Sequence, residues 1–216
     1  MTNNPKDDMT MDQVKKFIDF ALKEDPNGTL ILFGGEPFVT DLVFKILEYN
    51  NNRLKIQIYT NGLNVDNNTL VKLTKYKLNL GISYDASYNY RRSKTSKIPE
   101  LLFKCKKLRE RGLLDFSISY TVRKDNFDDF IPDIKLLHET FNPQKIEVSF
   151  DTVQLGKDYR ELCEEFQAKD LGLKGAVCSI NCHKCKQCEK GESMYWHCYK
   201  DKIIRGPSMS SLEIFK

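Results

Sequence analysis

The sequence predicts an α/β fold, a partial parallel (β/α) barrel followed by a small cysteine-rich C-terminal extension. Short apolar runs alternate with helical patterns of about ten to fifteen residues, which is typical of βαβ units and a parallel sheet. No glycine-rich dinucleotide fingerprint accompanies these units, and this favours a partial barrel over a doubly wound sheet. Five of the seven cysteines lie between Cys178 and Cys198. They indicate two regions, a barrel at residues 1–170 and a metal-binding extension at residues 171–216.

The first half of the chain contains an opening helix and three predicted strands. Thr10 and Gln13 form a capping box, the usual start of a helix. The run Thr29–Phe33 is short, rich in β-branched residues and bounded by glycines, which predicts a buried strand. The predicted elements are a helix from Thr10 to about Lys23, strand Thr29–Phe33, helix Asp41–Asn50 capped by Thr40, strand Leu54–Tyr59, helix Asn67–Tyr76 and strand Leu78–Tyr84.

The second half continues the alternation. A longer loop, Ala86–Ile98, precedes Pro99, which suits the first position of a helix. The predicted elements are helix Pro99–Arg111 ended by Gly112, strand Leu114–Val122, helix Phe127–Phe141 capped by Asn126, strand Lys145–Phe150 and helix Asp158–Asp170. The series therefore opens on a helix that has no strand before it.

Composition and charge indicate an ordinary globular protein and exclude several classes of function. Apolar residues make up 40% of the 216 positions, charged residues make up 30%, and the net charge is +4. Basic and acidic residues are interspersed, so no nucleic-acid-binding patch is expected. No apolar stretch reaches the length of a membrane span, and the polar start MTNNPKDD is not a signal peptide. We therefore expect a cytoplasmic protein without nucleic-acid or membrane partners.

The strand ends carry the candidate functional motifs. GGEP at Gly34–Pro37 follows the first predicted strand, where two glycines allow a ligand to approach the backbone and Glu36 adds an ionisable group. In parallel α/β folds, ligands bind at the carboxyl ends of the strands. Later strand ends read YTNG at Tyr59–Gly62, ISYD at Ile82–Asp85 and SYTV at Ser119–Val122. In this order and spacing they resemble the radical S-adenosylmethionine (radical SAM) enzymes over residues 10–151.

The resemblance implies S-adenosylmethionine as a cofactor. In this family the GGEP backbone receives the methionyl amino group, and later strand ends approach the carboxylate and ribose. The implied cofactor-binding residues are Gly34, Gly35, Glu36, Pro37, Asn61, Ser83, Asp85 and Thr121, with Arg91 or Arg92 at a further arginine position. The implied reaction is reductive cleavage of S-adenosylmethionine to a 5′-deoxyadenosyl radical, which abstracts hydrogen from a substrate. The substrate is expected to be a peptide, a protein or a small molecule. The sequence does not identify a catalytic residue.

The family's defining loop is missing from the front of this sequence. Family members carry a Cys-x3-Cys-x2-Cys loop after their first strand, and its thiolates hold a 4Fe-4S cluster with one iron open to the cofactor. Here no cysteine precedes Cys105, and the opening helix begins about where that loop should end. The resemblance therefore implies a radical SAM-type barrel that lacks its first strand, in a chain that is either truncated or a degenerate homologue.

The C-terminal cysteines predict a metal site. Residues 178–198 read CSINCHKCKQCEKGESMYWHC, and closely spaced thiols in a reducing compartment favour a metal over disulfides. The candidate ligands are Cys178, Cys182, Cys185, Cys188 and Cys198. The segment resembles the SPASM or twitch extensions of peptide- and sulfatase-modifying radical SAM enzymes, which hold auxiliary iron–sulfur clusters.

This metal site has three possible occupants. An auxiliary cluster would be closed by four thiolates, those of Cys182, Cys185, Cys188 and Cys198. A cofactor-binding cluster would use the other set, Cys178, Cys182 and Cys185, which repeats the Cys-x3-Cys-x2-Cys spacing. Zinc is the third occupant, because thiolates suit zinc as well as iron–sulfur clusters.

A function of another class also fits the sequence, namely a non-catalytic binding or scaffold protein that keeps the barrel and a structural zinc. In either case a missing first strand would leave the edge of Thr29–Phe33 unpaired, which invites association. We expect that edge to be covered by the N-terminal residues, the C-terminal tail or a second copy of the chain.

Overall fold

The computed structural model describes residues 9–32, 34–84, 97–150, 195–199 and 202–206. Helices and strands alternate through the first three of these ranges. The helices are α1 Met11–Glu24, α2 Leu42–Asn50, α3 Asn67–Leu73, α4 Ile98–Glu110 and α5 Phe130–Phe141, and a short 3₁₀ helix spans Pro37–Val39. The strands are β1 Thr29–Leu32, β2 Lys55–Thr60, β3 Leu78–Ser83, β4 Asp115–Val122, β5 Ile146–Phe150, β6 Tyr195–Tyr199 and β7 Lys202–Gly206.

The first five strands form one parallel sheet in chain order, β1-β2-β3-β4-β5. Each helix between two of them is the crossover of a βαβ unit. The parallel pairing of β1 with β2, with Leu30 opposite Ile56, confirms the prediction of a partial (β/α) barrel. An antiparallel pairing at this place would have contradicted that prediction. The strands β6 and β7 form a separate antiparallel pair that the sequence did not predict.

The two faces of the sheet differ in chemistry because side chains alternate along each strand. On one face Ile58, Leu80 and Ile118 are fully buried and belong to the core beneath the helices. The helices contribute Ile18, Leu47, Leu73, Leu102 and Ile134 to the same core. The opposite face carries polar side chains, namely Gln57, Asn79, Ser83, Ser117, Ser119, Thr121, Glu147 and Ser149.

The polar face is the concave side of a curled sheet. The Tyr59 hydroxyl donates a hydrogen bond of 2.6 Å to Glu147 Oε2, although β3 and β4 lie between their strands. Neighbouring strands are about 4.8 Å apart, so β2 and β5 would be about 14 Å apart in a flat sheet. The bond can form because the sheet curls about its polar face, as a partial barrel requires.

The N-terminal capping box of α1 forms as predicted. The backbone N–H of Gln13 donates to Thr10 Oγ1 at 3.3 Å, and the backbone N–H of Thr10 donates to Gln13 Oε1 at 2.8 Å. At α2 the outcome differs slightly, because the helix begins at Leu42 and Asp41 occupies the N-cap position. Thr40 still contributes, since its hydroxyl accepts from the backbone N–H of Leu42 at 3.3 Å.

The prediction that Asn126 caps a helix starting at Phe127 is wrong. The helix α5 begins at Phe130, and residues 124–129 form turns. Asn126 is buried, where its Oδ1 accepts from the backbone N–H of Arg123 at 2.6 Å and its Nδ2 donates to the Thr121 carbonyl at 3.1 Å. The side chain therefore fixes the turn after β4, and this bonding competes with helix capping.

Several predictions lie outside the described residues. They include Asp85, the loop with Arg91 and Arg92, the helix Asp158–Asp170 and the segment Cys178–Cys188. At the edge of the sheet, β2 is the partner of β1 within the described ranges. What covers the other side of β1 stays a prediction.

Candidate functional site

The loop after β1 presents exposed backbone at the carboxyl end of the sheet. Gly34 and Gly35 are both exposed, and Gly34 has φ +135°, a conformation that glycine adopts readily and other residues avoid. Among the described residues, a Cβ built on Gly34 would meet no atom within 4 Å, so this part of the structure leaves space for a ligand beside the backbone. Pro37 then begins the 3₁₀ helix and ends the exposed segment.

Glu36 ties this loop to the end of β2. Its Oε1 accepts from Thr60 Oγ1 at 2.6 Å and from the backbone N–H of Phe38 at 3.2 Å. Its Oε2 accepts from the backbone N–H of Asn61 at 2.8 Å. A carboxylate offers about four acceptor positions, and these three bonds use most of them. The Glu36 side chain therefore holds the glycine loop against the neighbouring strand end.

The end of β2 is itself a compact turn. The Asn61 side chain accepts from the backbone N–H of Leu63 at 2.9 Å, and Thr60 Oγ1 accepts from the backbone N–H of Gly62 at 3.0 Å. Such bonds from short polar side chains to nearby backbone fix turns. The structure thus brings Asn61 beside Glu36, as expected for two residues at neighbouring strand ends.

Ser83 and Thr121 lie farther along the same concave face. Ser83 ends β3 and pairs in register with Ser119 of β4. Thr121 follows two residues after Ser119 and pairs with Ser149, whose hydroxyl donates to Thr121 Oγ1 at 3.4 Å. The candidate residues Gly34, Gly35, Glu36, Pro37, Asn61, Ser83 and Thr121 are therefore carried to the carboxyl end of one sheet, and Asp85 lies outside the described residues.

Sequence reasoning missed Arg123 at the same end of the sheet. Arg123 follows β4, two residues after Thr121, and only 8% of it is exposed. Its Nε donates to Asp125 Oδ1 at 3.4 Å. The sequence contained a sign of this position, because the alternation of side chains along β4 places Arg123 on the face that carries Thr121. An arginine directly after a strand is equally typical of an exposed turn, however.

Deeper in the concave face, polar side chains bond to one another. Gln57 Nε2 donates to Ser117 Oγ at 3.2 Å, and Ser117 Oγ donates to Asn79 Oδ1 at 2.7 Å. Asn79 Nδ2 donates to Gln144 Oε1 at 2.6 Å. This network joins β2, β3, β4 and the start of β5 near their amino ends, and it satisfies groups that would otherwise be costly to bury.

Tyr59 crosses the concave face above that network. A Cβ on Gly81 would lie 2.7 Å from Tyr59 Cδ1 and 3.0 Å from Gln57 Nε2, so the glycine makes room for the ring. The Tyr59 hydroxyl reaches Glu147, which also forms an ion pair with Lys145. Sequence reasoning could not find this contact, because 88 residues separate its two partners.

No group of three or more potential metal ligands occurs among the described residues. Cys105 is fully buried in α4, and burial raises the pKa of its thiol to about 12, so it is protonated at neutral pH and unsuited to bind a metal. Cys178, Cys182, Cys185 and Cys188 lie outside the described ranges, and Cys198 falls within β6. These five candidates therefore stay a prediction.

The described part of the chain also has a surface groove next to the glycine loop, since Phe38, whose backbone N–H bonds to Glu36, lines it. The groove has a volume of about 410 Å³ and is lined in part by Phe38, Phe44, Asp66 and Lys72. Lys72 Nζ lies 4.9 Å from the Phe44 ring centre, which is a cation–π contact. None of the predicted cofactor-binding residues lines this groove, so the rim at Gly34 is the better candidate site.

No helix within the described ranges is long and apolar enough to cross a membrane.

Comparison with known proteins identifies related sequences and folds. The profile of the Radical SAM superfamily matches residues 1–137. A solved structure described as native anSMEcpe with bound AdoMet shares 16% identity at a TM-score of 0.56, covering 74% of this chain and 51% of that one. Another, described as native anSMEcpe with bound AdoMet and Kp18Cys peptide, shares 15% identity at a TM-score of 0.54, covering 66% and 43%.

At these identities the structural likeness concerns the fold. This chain spans about half the length of the solved structures that it matches. No curated protein matches it. The likeness agrees with the parallel, curled sheet, and the profile covers the region from α1 into α5, which carries the glycine loop and the ends of β1 to β4.

Proposed function

The chain belongs to the radical SAM superfamily, and on this premise we propose that it binds S-adenosylmethionine at the carboxyl rim of its curled sheet. The observation that carries the proposal is the exposed glycine loop. Within the described ranges Gly34 keeps open space beside its backbone, and Glu36 holds the loop in place through three hydrogen bonds. A loop that is both accessible and fixed can bind a small ligand without a large ordering cost.

In this proposal the loop Gly34–Pro37 receives the methionyl end through its backbone. Glu36 positions the loop and accepts hydrogen bonds, and Asn61 extends the same surface. Ser83, Asp85 and Thr121 would lie near the methionyl carboxylate or the ribose. S-adenosylmethionine supplies the radical chemistry when bound, whereas these residues bind and orient it.

An iron–sulfur cluster would supply the electron for such chemistry, and the described residues offer no ligand set for it. We propose that the C-terminal cysteines hold such a cluster, since their close spacing suits thiolate ligation. The ligands Cys178, Cys182 and Cys185 would leave one iron open to the cofactor. Ligation by the four thiolates Cys182, Cys185, Cys188 and Cys198 would make the cluster an auxiliary one, and zinc is the alternative metal.

For the substrate we propose a peptide or protein side chain. Two of the structurally similar proteins are described with a bound peptide beside AdoMet, and the polar concave face of this chain could accommodate a hydrogen-bonding group. A small polar molecule is the alternative. The finer choice depends on the loops and the tail that complete the concave face.

Isothermal titration with S-adenosylmethionine tests the proposal on the metal-reconstituted chain. We expect saturable binding to the unchanged protein and at least a roughly tenfold weaker affinity for Gly34→Ala, because a side chain at φ +135° strains the loop. Gly112→Ala is the matched control. Gly112 also has a positive φ, +68°, and open space for a Cβ, but it follows α4 and precedes the amino end of β4.

Comparison of the two variants distinguishes a change in the Gly34 loop from the general effect of backbone strain on binding. Equal weakening by both would count against the rim as the binding site. If no heat is observed with the unchanged, metal-loaded protein, the non-catalytic scaffold with a structural zinc becomes the better description.

A further inference from the structure

The contact between Tyr59 and Glu147 divides the concave face into two layers. Toward the amino ends of the strands, the amides of Gln57 and Asn79 bond to Ser117 and Gln144. Toward the carboxyl ends lie the hydroxyls of β3 to β5 and the Gly34 loop. The Tyr59 ring passes over Gly81, since a Cβ there would meet the ring at 2.7 Å. A ligand entering from the rim therefore meets Tyr59 and Glu147 before it meets the deeper network.

Glu147 is the group of this pair that a ligand can use. Tyr59 and Lys145 both donate to it, and its side chain remains 17% exposed. A carboxylate has about four acceptor positions and no donor, so the two bonds from described residues leave acceptor capacity. Glu147 pairs in register with Ser119, which belongs to the same concave face as Thr121.

We infer that Glu147, held in place by Tyr59 and Lys145, forms the floor of the substrate space and selects a substrate group that donates hydrogen bonds. This inference rests on the proposed function, since it assumes that a substrate enters from the cofactor rim. Suitable groups are an amide, a hydroxyl, an ammonium or a guanidinium. A carboxylate or phosphate is disfavoured there, because the Glu147 carboxylate offers acceptors and no donor, and the neighbouring Lys145 ammonium is already engaged by it.

Glu147 and Tyr59 have different roles in this inference, which would not be so if their contact were purely structural. Glu147 contacts the substrate, whereas Tyr59 orients the carboxylate from the opposite side of the curled sheet. Removing the charge at Glu147 should abolish selection, whereas removing the Tyr59 hydroxyl should leave the charge and most of the affinity.

The test uses methylguanidinium as a donor probe and acetate as an acceptor probe of similar size. Their binding to the full chain is measured by ligand-observed NMR at millimolar concentrations. We expect methylguanidinium to bind and acetate not to bind. Glu147→Gln should weaken methylguanidinium binding at least about fivefold, since hydrogen bonds to charged groups are the stronger ones. Tyr59→Phe should stay within about twofold of the unchanged protein.

Glu139→Gln is the matched control, because it makes the same chemical change at an exposed position of α5, and it should have no effect. The far-UV circular dichroism spectrum and the melting temperature establish that each variant folds. The inference is overturned if methylguanidinium does not bind the unchanged protein, if Glu147→Gln binds it equally well, or if Tyr59→Phe and Glu147→Gln lose it equally.

Failure of the proposed function would appear in a separate measurement. S-adenosylmethionine should bind Glu147→Gln as it binds the unchanged protein, because Glu147 lies below the rim loop. If the cofactor binds none of these proteins, the assignment of Glu147 to a substrate is withdrawn whatever methylguanidinium does. If the cofactor binds and methylguanidinium does not, the substrate inference alone is wrong.

Discussion

At the scale of single residues, Gly62 joins the candidate site to the core. Its φ of +76° favours glycine, and a Cβ there would lie 2.7 Å from Ile98 Cδ1 and 2.9 Å from Leu101 Cδ2. Both contacts belong to the first turns of α4, so the missing side chain lets that helix pack against the turn after β2. Gly112 also has a positive φ, but no described residue lies within 4 Å of where its Cβ would stand. The two glycines therefore separate backbone strain from steric exclusion.

We predict that Gly62→Ala destabilises the protein more than Gly112→Ala does. A positive φ costs a non-glycine residue about 1–2 kcal/mol in either place, and overpacking against α4 adds about 1–3 kcal/mol at Gly62. The free energy of unfolding, measured by urea titration with circular dichroism, should fall accordingly. Equal losses for the two variants would contradict the tight packing of α4 on this turn.

The sequence indicated the importance of the GGEP and TNG glycines, but it could not distinguish their roles. In the described part of the chain Gly34 has no neighbour where a Cβ would stand, whereas Gly62 lies against two side chains of α4. The difference depends on a contact between segments more than thirty residues apart, and no local pattern encodes it. Arg123 was missed for a similar reason, since its burial depends on the packing around the sheet and not on its neighbours in sequence.

At the scale of elements, α4 shows how a helix covers the sheet. Ile98, Leu101, Leu102 and Cys105 form its buried side, which is the spacing that an amphipathic helix requires. Burial raises the pKa of the Cys105 thiol to about 12. The thiolate is the reactive form, so the folded protein should protect this cysteine.

We predict that Cys105 resists alkylation by iodoacetamide in the folded protein at pH 8 and reacts once the chain is unfolded in urea. The raised pKa also predicts a pH dependence. In the unfolded chain the thiol loses its proton near its ordinary value, whereas in the folded chain it stays protonated to about pH 12. The stability due to Cys105 is thus complete below the unfolded pKa and is lost as the pH rises toward 12. Peptide mapping by mass spectrometry measures the alkylation, and full labelling of the folded protein would contradict this burial.

The order and type of the elements through β5 could be predicted because most of them carry a strong local signal. The capping box at Thr10 and the apolar run at Thr29 are examples, and both were confirmed. The start of α5 was wrong because Asn126 bonds back to the turn after β4. A helix-capping residue and a turn-fixing residue have the same side chain, so only the tertiary structure separates them.

At the scale of the whole molecule, the curl of the sheet creates a polar concave face. Strands of parallel sheets usually read as continuous apolar runs because both faces are covered. Here Gln57 and Tyr59, Asn79 and Ser117 interrupt those runs, and this alternation was the available sign of an open face. The contact of Tyr59 with Glu147 could not be predicted from it, because it depends on how far the sheet curls.

We predict that the C-terminal cysteines hold a metal, whose identity can be measured directly. Purification without oxygen followed by visible absorbance separates a coloured iron–sulfur cluster from colourless zinc. If the protein is coloured, Cys198→Ala distinguishes the two cluster types. A cluster held by Cys178, Cys182 and Cys185 should keep its iron, whereas an auxiliary cluster closed by Cys198 should lose it.

The position of the cluster gives a second, independent distinction. A cluster with an open iron must lie within bonding distance of a methionine whose amino group rests on the Gly34 loop, so S-adenosylmethionine should change its electron paramagnetic resonance spectrum. A closed cluster has no free iron for the cofactor, and its spectrum should not change. Cys105→Ser is the control, because this buried cysteine should leave iron content unaltered. Zinc without iron after anaerobic reconstitution would contradict both cluster assignments, since a superfamily fold alone does not supply the electron that the chemistry requires.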